Sequence, residues 1–229
     1  MTVIWIILWV VFSTIILGAA FWSLIIQYKQ KKTWEAFAKK AGLKYMSGTF
    51  TGPCGVEGVL DGYDVSLFTA EQQNIDSRKN RKVTGLQVNA NEGFVDGLAA
   101  GTPEVRTFIK SLGGLSNHDM KGKKWDKNLT IFSRHKEAVN LFLTEERVDT
   151  IKKMLNIKNA DVILLLDENE GGYRIETSNP LTDLEQLEKM VKATIARYKK
   201  LSVTKEEIDS FKKTVKSSPD GGAEDTKDE

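Results

Sequence analysis

The chain has 229 residues, 28% of them charged, and a formal net charge of +2 at pH 7. This length leaves room for one ordinary domain beside a membrane anchor, and the weak positive charge excludes a typical nucleic-acid-binding protein. Cys54 is the only cysteine, so no internal disulfide can form, which fits a reducing compartment.

The chain begins with an uncharged apolar run from Val3 to Ile26. As a helix, this run would extend roughly 36 Å, more than the roughly 30 Å of a bilayer's hydrocarbon core. A cleaved signal peptide is the first alternative. However, no lysine or arginine precedes the run, and the run continues past the faint cleavage pattern at 17–20. The sequence therefore predicts a retained transmembrane anchor over residues 1–28.

Lysines flank the apolar run only on its C-terminal side, at Lys29, Lys31, Lys32, Lys39, Lys40 and Lys44. The positive-inside rule then predicts a single-pass protein with its N-terminus outside and its C-terminal domain in the cytoplasm. Cations near an anionic leaflet contact lipid head groups, and we expect this of Lys29, Lys31, Lys32, Lys123 and Lys124. The alternative for the basic loops is a solvated surface that keeps the domain soluble.

Small residues in the apolar run form two pairs at four-residue spacing, Thr14 with Gly18 and Ala19 with Ser23. Such pairs let two spanning helices approach closely, so the anchor is also a candidate contact surface for a partner or a second copy. The same spacing arises by chance in many spanning helices, and the sequence leaves both interpretations open.

Residues 29–42 are predicted to continue the helix beyond the membrane. Trp34, Phe37 and Ala38 follow helical spacing, and Gly42 supplies a C-cap. No glycine or proline separates Ile26 from Trp34. We therefore expect a stiff connection that holds the following domain close to the bilayer.

Residues 43–201 form the predicted soluble α+β domain, in which short antiparallel sheets pack with helices. Two alternating apolar runs, 56–60 and 63–67, flank Asp61-Gly62, which is the strongest short signal for a β-hairpin. Further segments are predicted as strands over 43–50, 83–89, 129–133, 161–167 and 173–177, and as polar, basic loops over 74–82 and 116–127.

Helix starts are indicated by capping patterns. Thr102 followed by Pro103 predicts a helix to Leu112, and another helix is predicted over 144–155. Two residue pairs match the capping-box pattern. Thr182 and Glu185 form one at the start of a helix predicted over 182–201, and Thr204 and Glu207 form the other in a short helix predicted over 202–216. The acidic segment 217–229 is predicted to be a disordered tail.

The segments that begin at Thr102 and Thr144 share threonine, glutamate, isoleucine and lysine at matching places. This match predicts two related halves, each pairing a small sheet with such a helix. Two amphipathic helices that are capped alike would produce the same match by chance, so both explanations stay open.

A loose pattern of core hydrophobics, glycines and caps extends over most of residues 34–200. Its members are Trp34, Phe37, Ala38, Gly42, Leu43, Val56, Gly58, Gly62, Val65, Trp125, Asp126, Leu129, Phe132, Leu143, Thr144 and Arg147. In this pattern the chain resembles a group of uncharacterised, membrane-anchored bacterial proteins with one α+β domain. The resemblance implies an architecture and a bacterial inner-membrane setting, and it carries no active-site residues.

The sequence contains no convincing catalytic, metal or cofactor motif. The two histidines, His118 and His135, lack partners at metal-ligand spacing and are predicted to lie on the surface. The turn over 167–172 begins like a calcium loop, but required ligand positions are filled by Gly171 and Ser178. Cys54 has no activating base nearby in the sequence. We therefore expect no cofactor and no metal.

The sequence favours a non-enzymatic membrane protein whose cytoplasmic domain binds a protein partner or assembles into a membrane complex. The first alternative is a hydrolase or small-ligand protein with a site assembled from distant residues, for which His118, Asp119 and His135 are candidates. The second alternative is a domain that binds the lipid surface.

Overall fold

The computed structural model describes residues 2–48, 52–73, 80–91, 94–120, 125–126 and 128–217. These residues form an α+β structure with a long apolar N-terminal helix and one nine-stranded antiparallel sheet that packs against helices. Lys123, Lys124, the acidic tail beyond Ser217 and most of the predicted loop over 74–82 lie outside the described residues.

The N-terminal helix, α1, runs without interruption from Thr2 to Ala41. Its side chains are exposed from Val3 to Leu24, whereas Trp34, farther along, lies fully buried in the core of the domain. Gly42 ends the helix in the left-handed region, and the Leu43 N–H donates to the Ala38 carbonyl at 2.8 Å. The predicted continuous helix and its glycine cap are confirmed.

The strands are β1 Lys44–Ser47, β2 Cys54–Leu60, β3 Tyr63–Gln73, β4 Asn80–Ala90, β5 Leu98–Gly101, β6 Ser116–Asn117, β7 Thr130–Ser133, β8 Ala160–Leu166 and β9 Gly171–Thr177. Their order across the sheet is β1-β2-β3-β4-β9-β8-β5-β7-β6, and all neighbours are antiparallel. The predicted hairpin is confirmed, because Leu60 pairs with Tyr63 around a turn in which Asp61 and Gly62 both have positive φ.

The remaining helices are α2 Arg106–Ser111, which follows a 3-10 turn at Pro103–Val105, and α3 Lys136–Phe142, α4 Glu145–Leu155, α5 Leu184–Lys199 and α6 Lys205–Ser217. The second half of α1 packs with α3, α4, α5 and α6 on one face of the sheet, around the main core. Ile109 of α2 belongs to a smaller core with Ala99, Phe132 and Ile163 on the other face. Along β3, β4 and β9, that second face carries several polar, partly exposed side chains, such as Ser66, Gln87 and Arg174.

Some segment boundaries differ from the sequence predictions. Residues 80–82 were expected in a loop but belong to β4, because they pair with residues 71–73 of β3. The strands β5 and β6 and the helix α3 were not predicted, and β6 lies where a loop over 116–127 was expected. Each is short, and β5 is a run of small or apolar residues whose strand character comes from its pairing with β7 and β8.

The start of α5 corrects the predicted capping box at Thr182. Asp183 is the N-cap, and its carboxylate accepts the Gln186 N–H at 2.9 Å. The Thr182 carbonyl instead accepts the Thr33 hydroxyl of α1 at 2.9 Å. The second predicted box is confirmed, because Thr204 and Glu207 exchange hydrogen bonds at 3.0 and 3.3 Å.

The two threonines that suggested a duplication play different roles. The Thr144 hydroxyl caps α4 by accepting the Arg147 N–H at 3.3 Å. Thr102 makes no side-chain bond to the helix that follows, and its hydroxyl accepts the Val162 N–H of β8 at 3.2 Å. The two segments also contribute to one continuous sheet rather than to separate small sheets. Two related halves therefore stay a prediction.

Candidate functional site

One helix in the described part of the chain, α1, is long and apolar enough to cross a membrane. Its faces can be placed by the rotation of about 100° per residue, starting from the buried Trp34. Ala19 and Ser23 then lie on the same side as Trp34, above the domain. Thr14 and Gly18 lie on the opposite side, facing away from it.

Both small-residue faces of α1 are uncovered. The Thr14 hydroxyl donates to the Val10 carbonyl at 2.8 Å, so it is satisfied within the helix. A Cβ added at Gly18 would meet no atom within 4 Å. Ser23 is also exposed and accepts a hydrogen bond from the Gln27 amide at 3.4 Å. Each of the two faces therefore has room for a second helix.

Side-chain bonds fix the second half of α1 to the domain at several points. The buried Gln30 amide donates to the Thr84 hydroxyl of β4 at 3.2 Å. Lys40 forms an ion pair with Glu188 of α5 at 2.7 Å, and the bond from Thr33 to the segment before α5 lies between these two contacts. The orientation of the helix is therefore set by both the sheet and α5.

A cavity of 280 Å³ lies between α1 and the strands β2, β3 and β4, immediately after the apolar run. The residues that define its chemistry are Gln27, Gln30, Lys31, Cys54, Glu71 and Lys82. Burial raises the pKa of the Cys54 thiol, and the Lys31 ammonium acts in the opposite direction. A buried thiol with a raised pKa is a poor nucleophile, which agrees with the expectation for Cys54.

The lysines predicted to contact lipid head groups are distributed around α1. Lys29 and Lys32 are exposed on the side away from the domain, and Lys32 lies 5.0 Å from the centre of the Tyr28 ring. Lys31 is partly buried and lines the cavity. These three lysines therefore divide into two groups on opposite sides of α1, within one helical turn of each other.

His118 is buried, which corrects the prediction of a surface histidine. Its Nδ1 lies 2.8 Å from the Ser133 hydroxyl, and its Nε2 lies 3.2 Å from the Asn140 side-chain oxygen. A catalytic triad also combines a hydroxyl, a histidine and a side-chain oxygen, but there the serine contacts Nε2 and the acid contacts Nδ1. In this group the two ring nitrogens are exchanged, and Ser133 is completely buried. The three side chains instead connect β7 with α3 and with the segment that follows β6.

His135 belongs to a different group, whose other members are Asp96, Arg134 and Asp167. The Asp96 carboxylate accepts a hydrogen bond from the Arg134 guanidinium at 3.0 Å, and it lies 3.3 Å from His135 Nε2. Arg134 also lies 3.9 Å from Asp167. Burial raises the pKa of Asp96, Arg134 and His135 oppose this shift, and Asp167 adds to it. Asp119, the third candidate, is exposed.

This charged group stands between two cavities. Arg134 and Asp167 line a cleft of 510 Å³ on the open face of the sheet, whose floor includes Asp64, Gln87 and Asn89. Asp96 lines a cavity of 270 Å³ beside α6. A carboxyl group with a raised pKa beside a cleft occurs both in acid–base sites and in structural ion-pair networks. In the described part of the chain, no three histidine, cysteine, aspartate or glutamate side chains converge as metal ligands.

Asp96 and Arg134 were not predicted as site residues from the sequence. They meet because β5 pairs with β7, which sets Leu98 opposite Ser133. Neither residue lies in a local motif, so only the strand pairing brings them together. Comparisons of the chain with family models, with curated proteins and with solved structures give no match. The resemblance to membrane-anchored bacterial proteins accordingly stays a prediction.

Proposed function

We propose that this protein is a single-pass membrane protein whose rigidly held cytoplasmic domain assembles with a protein partner or with a second copy. One observation carries the proposal: α1 is a single helix, apolar and exposed in its first half and part of the domain core in its second. A continuous apolar surface of this size is costly in water, at about 25 cal/mol per Å². A bilayer removes that cost.

Retention of the helix is supported by its connection to the domain. The Gln30 amide bonds to the sheet about one turn after the last apolar residue, Ile26, and Gln27 already lines the cavity that borders the sheet. A leader that is removed has a shorter apolar segment, which ends at a small-residue cleavage site. Here the apolar run passes directly into a helix that packs in the core. The lysines after the run support a cytoplasmic domain.

The Thr14–Gly18 face is the better contact surface of the two. It points away from the domain, so another helix can approach it along its whole length. The Ala19–Ser23 face lies above the domain, which obstructs any partner that also has a cytoplasmic part. We therefore assign self-association or partner binding to the Thr14–Gly18 face.

Disulfide cross-linking in native membranes tests this assignment. In a Cys54→Ala background, Thr14→Cys and Ser23→Cys are matched, because both replace an exposed hydroxyl residue in the same helix. Thr14→Cys should form a dimer or a cross-link to a partner after mild oxidation, and Ser23→Cys should stay monomeric. Carbonate extraction should leave the protein in the membrane pellet. A soluble protein, or equal cross-linking at both positions, would contradict the proposal.

Binding of a small ligand is a second candidate function, because the 510 Å³ cleft has Arg134 and Asp167 at its edge and Asp96 behind them. If the group serves a ligand, Asp96→Asn combined with His135→Asn should abolish a cellular phenotype of the gene while the amount of protein stays normal. The matched control is Asp119→Asn, an exposed aspartate outside the group. A phenotype that survives the double substitution would leave the cleft without a role.

A further inference from the structure

We propose that the cavity between α1 and strands β2, β3 and β4 binds the phosphate of an anionic phospholipid in the leaflet where α1 leaves the membrane. The inference rests on the proposed membrane topology and adds a specific lipid site to it. Depth, charge and size each support a lipid phosphate in this cavity.

The cavity lies at the depth of the lipid head groups. The apolar run ends at Ile26, and the cavity is lined by the next residues of the same helix, from Gln27 to Lys31. This stretch rises about 6 Å along the helix axis. The head-group layer on each side of a bilayer is roughly 5–8 Å thick. The cavity and the phosphates are thus at the same level.

The charge of the cavity suits an anion. Lys31 of α1 and Lys82 of β4 line it from opposite walls, and among the lining residues described they face a single acid, Glu71 of β3. Ammonium groups bind phosphate oxygens through charge-assisted hydrogen bonds. The positive charge of Lys31 lowers the pKa of the Cys54 thiol, against the larger effect of burial, so this charge acts on the inner wall of the cavity. Lys82 is exposed and can adjust to a bound group.

The size of the cavity suits a head group rather than a whole lipid. Its volume of 280 Å³ is near the lower limit of about 300 Å³ for small-ligand pockets. The acyl chains would lie outside it, along the domain-facing side of α1. That side carries the small residues Ala19, Ala20 and Ser23, all exposed, which leave space for a chain beside the helix. Head group and chains would then follow one continuous path.

Lipid retention by the full-length protein tests the site. The purified protein in a mild non-ionic detergent would be mixed with equal amounts of phosphatidylglycerol and phosphatidylcholine, and bound lipid counted by native mass spectrometry. The key variant is Lys31→Gln with Lys82→Gln. The matched control is Lys29→Gln with Lys32→Gln, which removes the same charge at a similar depth on the opposite side of α1.

We expect wild-type protein to retain one phosphatidylglycerol per chain in preference to phosphatidylcholine. The cavity variant should bind it about thirty-fold more weakly, since each cation near an anionic head group contributes about fivefold. The control pair should weaken binding by no more than about fivefold, clearly less than the cavity variant, because Lys29 and Lys32 lie outside the cavity. Glu71→Gln should bind phosphatidylglycerol about fivefold more tightly, a gain that misfolding cannot produce.

Three results would overturn the lipid site. Equal losses in the two lysine pairs would show that binding reflects surface charge alone. An unchanged or weakened Glu71→Gln would contradict the role of the cavity charge. Displacement of the lipid by millimolar inorganic phosphate would assign the cavity to a soluble phosphate instead. Carbonate extraction of each variant separates this inference from the topology: a protein that stays in the membrane but shows no lipid preference contradicts only the lipid site.

Discussion

The buried side chain of Arg147 in α4 connects this helix to α6. Its guanidinium donates to both carboxylate oxygens of Glu207 at 2.9 and 3.0 Å, and to the carbonyls of Phe142 and Ser202 at 3.3 and 3.1 Å. It also lies 4.7 Å from the centre of the Phe142 ring. A planar group with several fixed donors is required for this set of contacts.

Arg147→Lys should therefore lower the free energy of unfolding by about 2 kcal/mol, because one ammonium cannot satisfy the carboxylate and both carbonyls. The measurement is thermal unfolding of the full-length protein in detergent. Lys200→Gln is the control, since it removes an exposed 3.6 Å pair with Glu146 and should change stability by less than about 0.5 kcal/mol. Equal effects of the two substitutions would contradict the role of Arg147.

The same ion pair gives the domain a defined pH dependence. The hydrogen bond from Arg147 holds the pKa of Glu207 below its usual value. A lowered folded-state pKa contributes stability above the unfolded pKa, and that contribution is lost as pH falls through the folded value. The stability difference between wild type and Glu207→Gln should thus be largest near neutral pH and should shrink as the pH falls below the usual range of a glutamate carboxyl. Chemical denaturation across this range measures it, and a constant difference would refute the assignment.

At the scale of elements, α5 has two adjacent candidates for its N-cap, Thr182 and Asp183, and substitutions can show which of them caps the helix. Asp183→Ala should cost about 1 kcal/mol, because it removes the acceptor for the Gln186 N–H. Thr182→Ala should be nearly neutral, since the bond from Thr33 uses the Thr182 backbone carbonyl. Thermal unfolding of both variants distinguishes them. A larger loss in Thr182→Ala would restore the cap predicted from sequence.

Elements whose signals are local could be predicted, and those that depend on distant partners could not. The hairpin around Asp61-Gly62 follows from two turn residues and from the alternation beside them. The strand β5 has no such signal, because Ala99 and Ala100 become strand residues only through pairing with β7 and β8. The same limit applies to the candidate sites. Lys31 was expected to contact lipid, but Lys82 and Glu71 join it only through the sheet.

For the whole molecule, α1 is a structural part of the domain and not only its attachment. Trp34, Phe37 and Ala38 are buried in the main core. A chain that begins at residue 25 should therefore fold and remain soluble in water. A chain that begins at residue 43 should not fold, since losing one buried tryptophan alone costs about 3–5 kcal/mol. Circular dichroism and thermal unfolding of the two chains would show this, and cooperative unfolding of the shorter chain would contradict it.

Because α1 is unbroken, the direction of the Thr14–Gly18 face around the helix axis fixes the direction in which the domain lies around the same axis. Each residue of a helix turns the chain by about 100° and advances it by about 1.5 Å. Because Gln30 and Lys40 lock the helix to β4 and α5, the azimuth of the domain is set by the residue count between Gly18 and Trp34. One inserted residue would swing the domain by about 100° relative to the Thr14–Gly18 face, whereas four would change it by about 40°. In the proposed assembly, the number of residues in this segment therefore determines which sides of neighbouring domains meet.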